Sequence, residues 1–539
     1  AARHDCSTYK AFASSSVRAI RSRAPGSRDA WCGVEALLRD ARLADAVALL
    51  EETPTLSTAG YDLRRRRLEI EAAEALLDRA RAGRSPDLPR LEIHHALALD
   101  ALGERERAVE ILRRLGDPAA THDLGTIATL IEADRRVGLE DLALEQAARG
   151  LEAAAPDTER TWILGSLLPG RGEVAGVCWD LLAARNPAAS ARDHLDRLWA
   201  ILGPSPDPSI LEAELTAAAR EVDGWSGARL VDGLLAVAEL ASVADRDAEA
   251  LRSLERAAEL EASPAAWIRL GDRHARDGQW DSAALAYARA LEAGEPSPEA
   301  VYRHGLALDR SGREDGSRAR LRGRLMALAS DSARHRLAET MAALGLAEEA
   351  ERERGLLLAT GSPSSWESCL ALGVEGEAAR RRGEHLQAAV ALERSMLSCL
   401  DQSRSFLSPT DYVDVPHDVH ECRAVGLLAA GDVEGALSEI EVCRAYLPAE
   451  VGLPIEVVPA LDAAGRRDAA DRLFASVADR LESVLERFPR AARLHHDLAR
   501  LCVACGRRLD RADEHAARAV ELDPADEDYR RLARELEAR

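Results

Sequence analysis

The densest gathering of side chains able to hold a metal or move a proton is His417, His420, Glu421 and Cys422, directly after Pro416. On a helix opening at that proline, His417, His420 and Glu421 stand at i, i+3 and i+4 and share one face, as ligation by a single helix requires. The order HxxHE is neither HExxH nor HxxEH, so no metalloprotease signature is present. The plain alternative is a helix start with Asp418 near the positive end of the dipole and the polar side chains in solvent. On that reading the chain carries no metal, and His417 and His420 are merely the best candidates for one.

Other chemistry-bearing residues are sparser. Cys502-x2-Cys505 has the spacing of half a zinc site or a redox pair, but the second half is missing, and a core cysteine plus a turn cysteine explains it. Gly170, Gly172 and Gly176 miss the dinucleotide fingerprint by one residue and follow no β-branched run, which leaves a loop. The adjacent pairs His94-His95 and His495-His496 diverge by ~100° on a helix, so one of each faces the core and the other a groove. There is no GxSxG elbow and no CxxCH haem attachment. Carboxylates are abundant but sit at helical spacing from arginines, as in Glu104 and Arg107 or Glu351 and Arg354. An enzyme is not expected, and no cofactor.

Two absences narrow the chemistry further. Lys10 is the only lysine and lies far from any glycine, which removes a GxxxxGK phosphate loop and a kinase lysine. Asn186 is the only asparagine and precedes Pro187, so no glycosylation sequon exists. The formal charge of −22, from 71 basic and 93 acidic residues, argues against nucleic acid or an anionic membrane surface as partner. No uncharged apolar run approaches the roughly 18 residues of a membrane span. Nine cysteines in 539 residues are neither a disulfide framework nor a regular ligand set.

The elements that would position these residues are helices. Composition is weighted to Ala, Leu, Glu and Arg, and nothing alternates long enough to make a sheet. Trp267, Leu270, Gly271 and His274, followed by Ala283, Tyr287 and Ala290, mark a helix pair running from Pro264 to Pro296. The frame recurs from Val231, Pro298 and Asp331. Weaker copies hold Ala96, Leu99, Gly103 and Ala108, then Gly138 and Ala143, then Gly383 and Ala388. It sharpens again at Gly431 and Ala436, at Gly465 and Ala470, and at Gly506 and Ala512. Small Gly271 and Ala283 are expected where the two helices of a pair cross closely.

These positions resemble the 34-residue tetratricopeptide repeat, with His274 where that pattern has Tyr. The stretch from Val413 to Pro524, including VPHDVHECRAVGLLAAGDVEGAL, resembles uncharacterised bacterial proteins of that family, which brings no activity with it. The resemblance implies an all-α solenoid of stacked antiparallel helix pairs, wound as a right-handed superhelix whose first helices line a concave groove. The expected division is an irregular arm over 1–28, a degenerate helical array over 29–156, an off-register helical segment over 157–230 and a central array over 231–400. A loop over 401–416, a C-terminal array over 417–524 and a capping helix over 525–539 complete it.

The expected function is a non-catalytic scaffold for a protein or peptide partner. Ile268, Asp272, Glu299, Tyr302, Leu306, His335 and Glu339 would line its groove. Excess acid points to a basic or apolar partner segment. Tetratricopeptide co-chaperones that grip the carboxy-terminus of heat-shock proteins use Lys and Asn, which this chain lacks there. The alternatives are a structural subunit of a larger assembly, or a metal- or haem-binding protein using His417 and His420. The opening Ala1-Ala2 fits a mature exported chain as well as a fragment, leaving bacterial cytoplasm and periplasm both open.

Overall fold

A computed structural model describes residues 27–153 and 212–538, apart from positions 41, 53–56, 86, 118–121, 213–214, 217, 221, 261–262, 364 and 401–410. Among the described residues every regular element is helical. In the amino-terminal part these are α1 (Ser27–Arg39), α2 (Leu43–Glu52), α3 (Ser57–Arg66), α4 (Ile70–Gly83), α5 (Leu88–Ala101) and α6 (Arg105–Leu115). The middle holds α7 (Leu124–Arg136), α8 (Glu140–Ala153), α9 (Gly227–Val243), α10 (Asp247–Leu260), α11 (Pro264–Arg276), α12 (Trp280–Ala293), α13 (Pro298–Arg310) and α14 (Gly316–Met326). A 3-10 turn at Ala327–Ala329 precedes α15 (Asp331–Ala343) and α16 (Ala347–Thr360). The carboxy-terminal part holds α17 (Trp366–Arg381), α18 (His385–Leu400), α19 (Asp411–Ala429), α20 (Val433–Tyr446), α21 (Gly452–Ala463), α22 (Arg467–Arg487), α23 (Ala492–Cys505), α24 (Leu509–Leu522) and α25 (Glu527–Glu537). No described helix is long and apolar enough to cross a membrane.

Local sequence sets the helix ends. Ser297 and Ser330 each accept the backbone N–H three residues on, at 3.1 Å, and so cap α13 and α15. Pro264 and Pro298 occupy first-turn positions, where the missing N–H costs nothing. The pair α13–α14 turns at Gly312 and the pair α15–α16 at Gly345, both with φ of +75°, a conformation that favours glycine. First helices begin at Pro264, Pro298 and Asp331, 34 and 33 residues apart, as the sequence period requires.

Small residues allow the close crossings. A Cβ on Gly271 would lie 2.5 Å from the Tyr287 ring, and one on Gly305 would lie 2.5 Å from the Arg320 backbone nitrogen. Ala283 and Tyr287 are fully buried beside Ala307 and Leu308, so each pair shares its core with the next.

The chain forms two compact units, and they do not follow the linear division expected from sequence. One comprises residues 1–111 together with 360–539, the other residues 112–359. Within the second unit, α9 to α14 pack each against the next, and α13 also touches α15. Within the first, α1 packs against α18 and α20, and α3 against α19. Their shared core includes Trp31, Leu37, Val47 and Leu63 from the amino-terminal side, with Met396, Val413 and Tyr446 from the carboxy-terminal side.

Two boundary expectations change. Residues 411–416 are not loop: α19 starts at Asp411 and carries Pro416 inside it. The proline lies just past the first four residues, whose N–H groups lack an intrahelical acceptor, so it forgoes one backbone hydrogen bond near the start of the helix. Ser27 and Arg28, expected in the irregular arm, open α1. The glycine run Gly170–Gly176, Trp162, Trp179, Trp199 and most of the 157–230 segment lie outside the described residues. The trailing helix is α25, amphipathic, with Leu532 as its buried anchor.

Candidate functional site

The sequence-stated cluster on α19 is buried rather than solvated. His417 is 5% exposed, His420 1%, Glu421 7% and Cys422 1%. The physical reason is that α1 and α3, hundreds of residues away in sequence, cover this part of the helix together with α20.

His420 lies between two carboxylates. Its Nδ1 donates to Glu439 Oε2 of α20 at 2.5 Å, and its Nε2 donates to Glu35 Oε2 of α1 at 2.9 Å. The Tyr446 hydroxyl donates to the other Glu35 oxygen, and Arg39 donates to Glu439 Oε1 at 3.2 Å. Ionised carboxylates only accept, so both ring nitrogens carry protons and the ring is an imidazolium. Burial pulls its pKa down, but Glu35 and Glu439 outweigh that and raise it. Burial lifts the Glu439 carboxyl, yet His420 and Arg39 hold it at about 2. Glu35, against its own burial, is lowered by His420, Tyr446 and Arg39. Two positive and two negative groups thus form a closed, neutral set.

Both ring nitrogens of His420 are thus engaged by carboxylates of the protein. His417 points elsewhere. With Asp418 and Glu421 it offers ligand atoms within 4.8 Å of one another. The Arg380 guanidinium offsets part of that group's charge, 2.7 Å from Glu421 and 3.8 Å from Asp418.

Of the other candidates, the described residues at the carboxy-terminal end pack into the interior. His495 and His496 are both buried, because α24 and α25 cover adjacent faces of α23, so neither opens to a groove. His495 donates from Nε2 to Pro489 O at 3.1 Å, leaving its Nδ1 to accept from His515 Nδ1 at 2.8 Å. Burial, then His495, holds His515 down at about 4, so the pair is neutral. His496 stacks on Tyr529, ring centroids 4.7 Å apart. Cys502 and Cys505 are buried thiols, each pushed up to about 11 by burial. Cys369 is disulfide-bonded.

The groove residues fall on three first helices, α11, α13 and α15. Tyr302 and Leu306 are interior: Tyr302 is fully buried with its hydroxyl 2.5 Å from Glu349, and Leu306 is 6% exposed. They turn toward the second helices instead of an open face. Ile268, Asp272, Glu299 and His335 are half-buried, and Glu339 is exposed. Asp272 Oδ1 accepts from Tyr287 at 2.6 Å and from Arg303 at 3.0 Å, and Arg303 reaches Thr340 at 3.5 Å. Arg336 donates to Glu299 at 2.8 Å, and Arg354 to Glu339 at 3.2 Å. Arg354 therefore serves Glu339, where sequence spacing pairs it with Glu351. Arg303 of α13 thus links to α11 through Asp272 and to α15 through Thr340.

No protein-family model matches the chain, and no curated protein matches it. Among solved structures it is similar to the APC/C hetero-tetramer Cut9–Hcn1, at 15% identity over 98% of this chain and 94% of that one, with a TM-score of 0.25. Naa15/Naa10 bound to HypK-THB matches at 14% identity over 98% and 94%, with a TM-score of 0.33. The C-terminal part of a TPR repeat-containing protein from Cytophaga hutchinsonii matches at 11% identity over 49% and 98%, with a TM-score of 0.26. At such scores the likeness adds nothing to the helix pairs described above. The pairs are tetratricopeptide-like by their own period, turns and crossings.

Proposed function

We propose that the protein is a non-catalytic interaction scaffold whose partner, a peptide or helix, lies across the first helices of the 112–359 unit. The observation that supports this reading is the polar ladder Asp272–Arg303–Thr340, which aligns α11, α13 and α15 into one continuous face. Ile268, Asp272, Glu299, His335 and Glu339 are the residues through which a partner segment is held. Each acid on that face has an arginine of its own, so the face carries little net charge. An apolar segment with hydrogen-bonding edges therefore suits it better than the strongly basic one suggested by total charge. The neutral, closed character of the His420 set and the Arg380-paired carboxylates beside His417 speak against a reaction centre there. Affinity capture with mass spectrometry, repeated with the Asp272→Lys/Glu339→Lys double variant, tests the reading. Partners lost from the variant support it, and an unchanged set of partners contradicts it.

A further inference from the structure

The outer face of α14 is basic within an acidic chain. Residues 316–330 carry four arginines and no acidic residue, in a protein of net charge −22. Two of the four turn inward: Arg320 binds Glu349 at 2.5 Å and Asp309 at 3.0 Å, and Arg324 binds Glu353. The other two, Arg318 and Arg322, are exposed and make no ion pair among the described residues. Beside them Leu321, Leu325 and Leu328 are 55%, 57% and 57% exposed. Leu321 and Leu325 are one helical turn apart on α14, and Leu328 follows in the 3-10 turn Ala327–Ala329, so the three make a short apolar ridge. Arg318 and Arg322, also i and i+4, form a parallel ridge along its flank. Glu314 and Asp315 stand before the start of the helix, nearer Arg318 than Arg322.

Two leucines left mostly in water on one helix and a third in the turn that follows it, with unpaired cations alongside, have the pattern of a helix-docking surface. We propose that α14 docks an acidic amphipathic helix of a protein partner, its apolar ridge meshing with Leu321, Leu325 and Leu328 and its carboxylates meeting Arg318 and Arg322. The charge sign selects the acidic partner, since free cations are concentrated here against the sign of the whole chain. The one-turn spacing of Leu321 and Leu325 selects a helix, whose own i, i+4 side chains match it. Two free cations and three leucines are too few to hold a polyanion or an anionic bilayer against a net charge of −22. The small area makes the complex transient and micromolar. This deepens the scaffold reading by adding a second docking face on a different set of helices, and the two faces can fail independently.

The test is fluorescence anisotropy of the full chain with a labelled synthetic helix of about 20 residues, leucines on one face and glutamates on its flanks. Variants are Arg318→Glu/Arg322→Glu and Leu321→Ser/Leu325→Ser, all surface changes, with thermal unfolding as the folding control. The expected result is micromolar binding, weakened at least about tenfold in either variant, and equally by exchanging the peptide's glutamates for lysines. Binding is also expected to survive Asp272→Lys/Glu339→Lys, which changes no residue of α14. Peptide binding indifferent to the four α14 substitutions would overturn the proposal. So would equal binding of the lysine peptide, leucine-dependent self-association in sedimentation without peptide binding, or preferential binding to vesicles containing phosphatidylserine.

Discussion

Replacing His420 by leucine removes the positive centre between Glu35 and Glu439 while keeping most of the side-chain volume. The set then holds two carboxylates against Arg39 alone, changing from neutral to −1. At an effective dielectric near 20, two unit charges about 4 Å apart interact by about 4 kcal/mol, and breaking buried pairs commonly costs about 3–5 kcal/mol. We expect His420→Leu to destabilise the unit containing residues 27–111 and 360–538 by that amount at pH 7. Proton uptake by one carboxylate caps the loss, so the variant's deficit should shrink as pH falls toward 5. In the parent protein the linkage has two arms. The raised pKa of His420 contributes stability that is complete below its unfolded value of about 6.5 and fades as pH rises through the folded value. The lowered Glu439 contributes stability present above about 4.5 and lost as pH falls toward about 2. Stability from this set therefore peaks between about pH 4.5 and about pH 6.5 and declines above that toward the raised His420 pKa. Hydrogen exchange of α1 and α20 peptides in increasing urea reads the unit without assuming that the whole chain unfolds at once. A companion variant, Glu35→Met/His420→Leu/Glu439→Met, should recover most of the loss, because no buried charge is left unpaired. A loss under about 1 kcal/mol in His420→Leu, independent of pH, would refute the imidazolium assignment.

Asp134 on α7 is fully buried with neither carboxyl oxygen hydrogen-bonded among the described residues, and burial raises its pKa to about 8. As an acid with a raised pKa, it loses stability as pH rises from about 3.8 to about 8, so Asp134→Leu should stabilise by a few kcal/mol at pH 7 and by little at pH 4. Calorimetry at the two pH values decides it. Gly305→Ala should destabilise by about 1–3 kcal/mol, since the added carbon meets the Arg320 backbone and must part α13 from α14. Chemical denaturation measures it, and a neutral result would contradict the close crossing. Cys502 and Cys505, buried with thiols at about 11, should resist a disulfide reagent at pH 7.5 until the chain is unfolded. Rapid labelling of native protein would count against their core placement.

What could be read from the residues was the part governed by local rules. The spacing of Gly271, Ala283 and Tyr287 determines a close crossing whichever chain surrounds it, and the turns at Gly312 and Gly345 follow from one conformational preference. The α19 cluster illustrates the opposite case. Its ligand-like pattern was visible, but its meaning depended on Glu35 and Arg39, nearly four hundred residues upstream, and no periodicity links positions so far apart. The same long-range packing joins α1 to α20 across the linear division. Tyr302 and Leu306 show the limit of helical spacing: a residue on a first helix can face either its own partner helix or the open side, and both of these are buried. Glu439 and Tyr446 gave no signal, since one acid and one aromatic on an acidic helix resemble many others.

The most direct test of the scaffold account is hydrogen exchange of the full chain with and without a captured partner. The account predicts slowed exchange across α11, α13 and α15 on binding, abolished by Asp272→Lys/Glu339→Lys. A bound partner that leaves those three helices unprotected would contradict it.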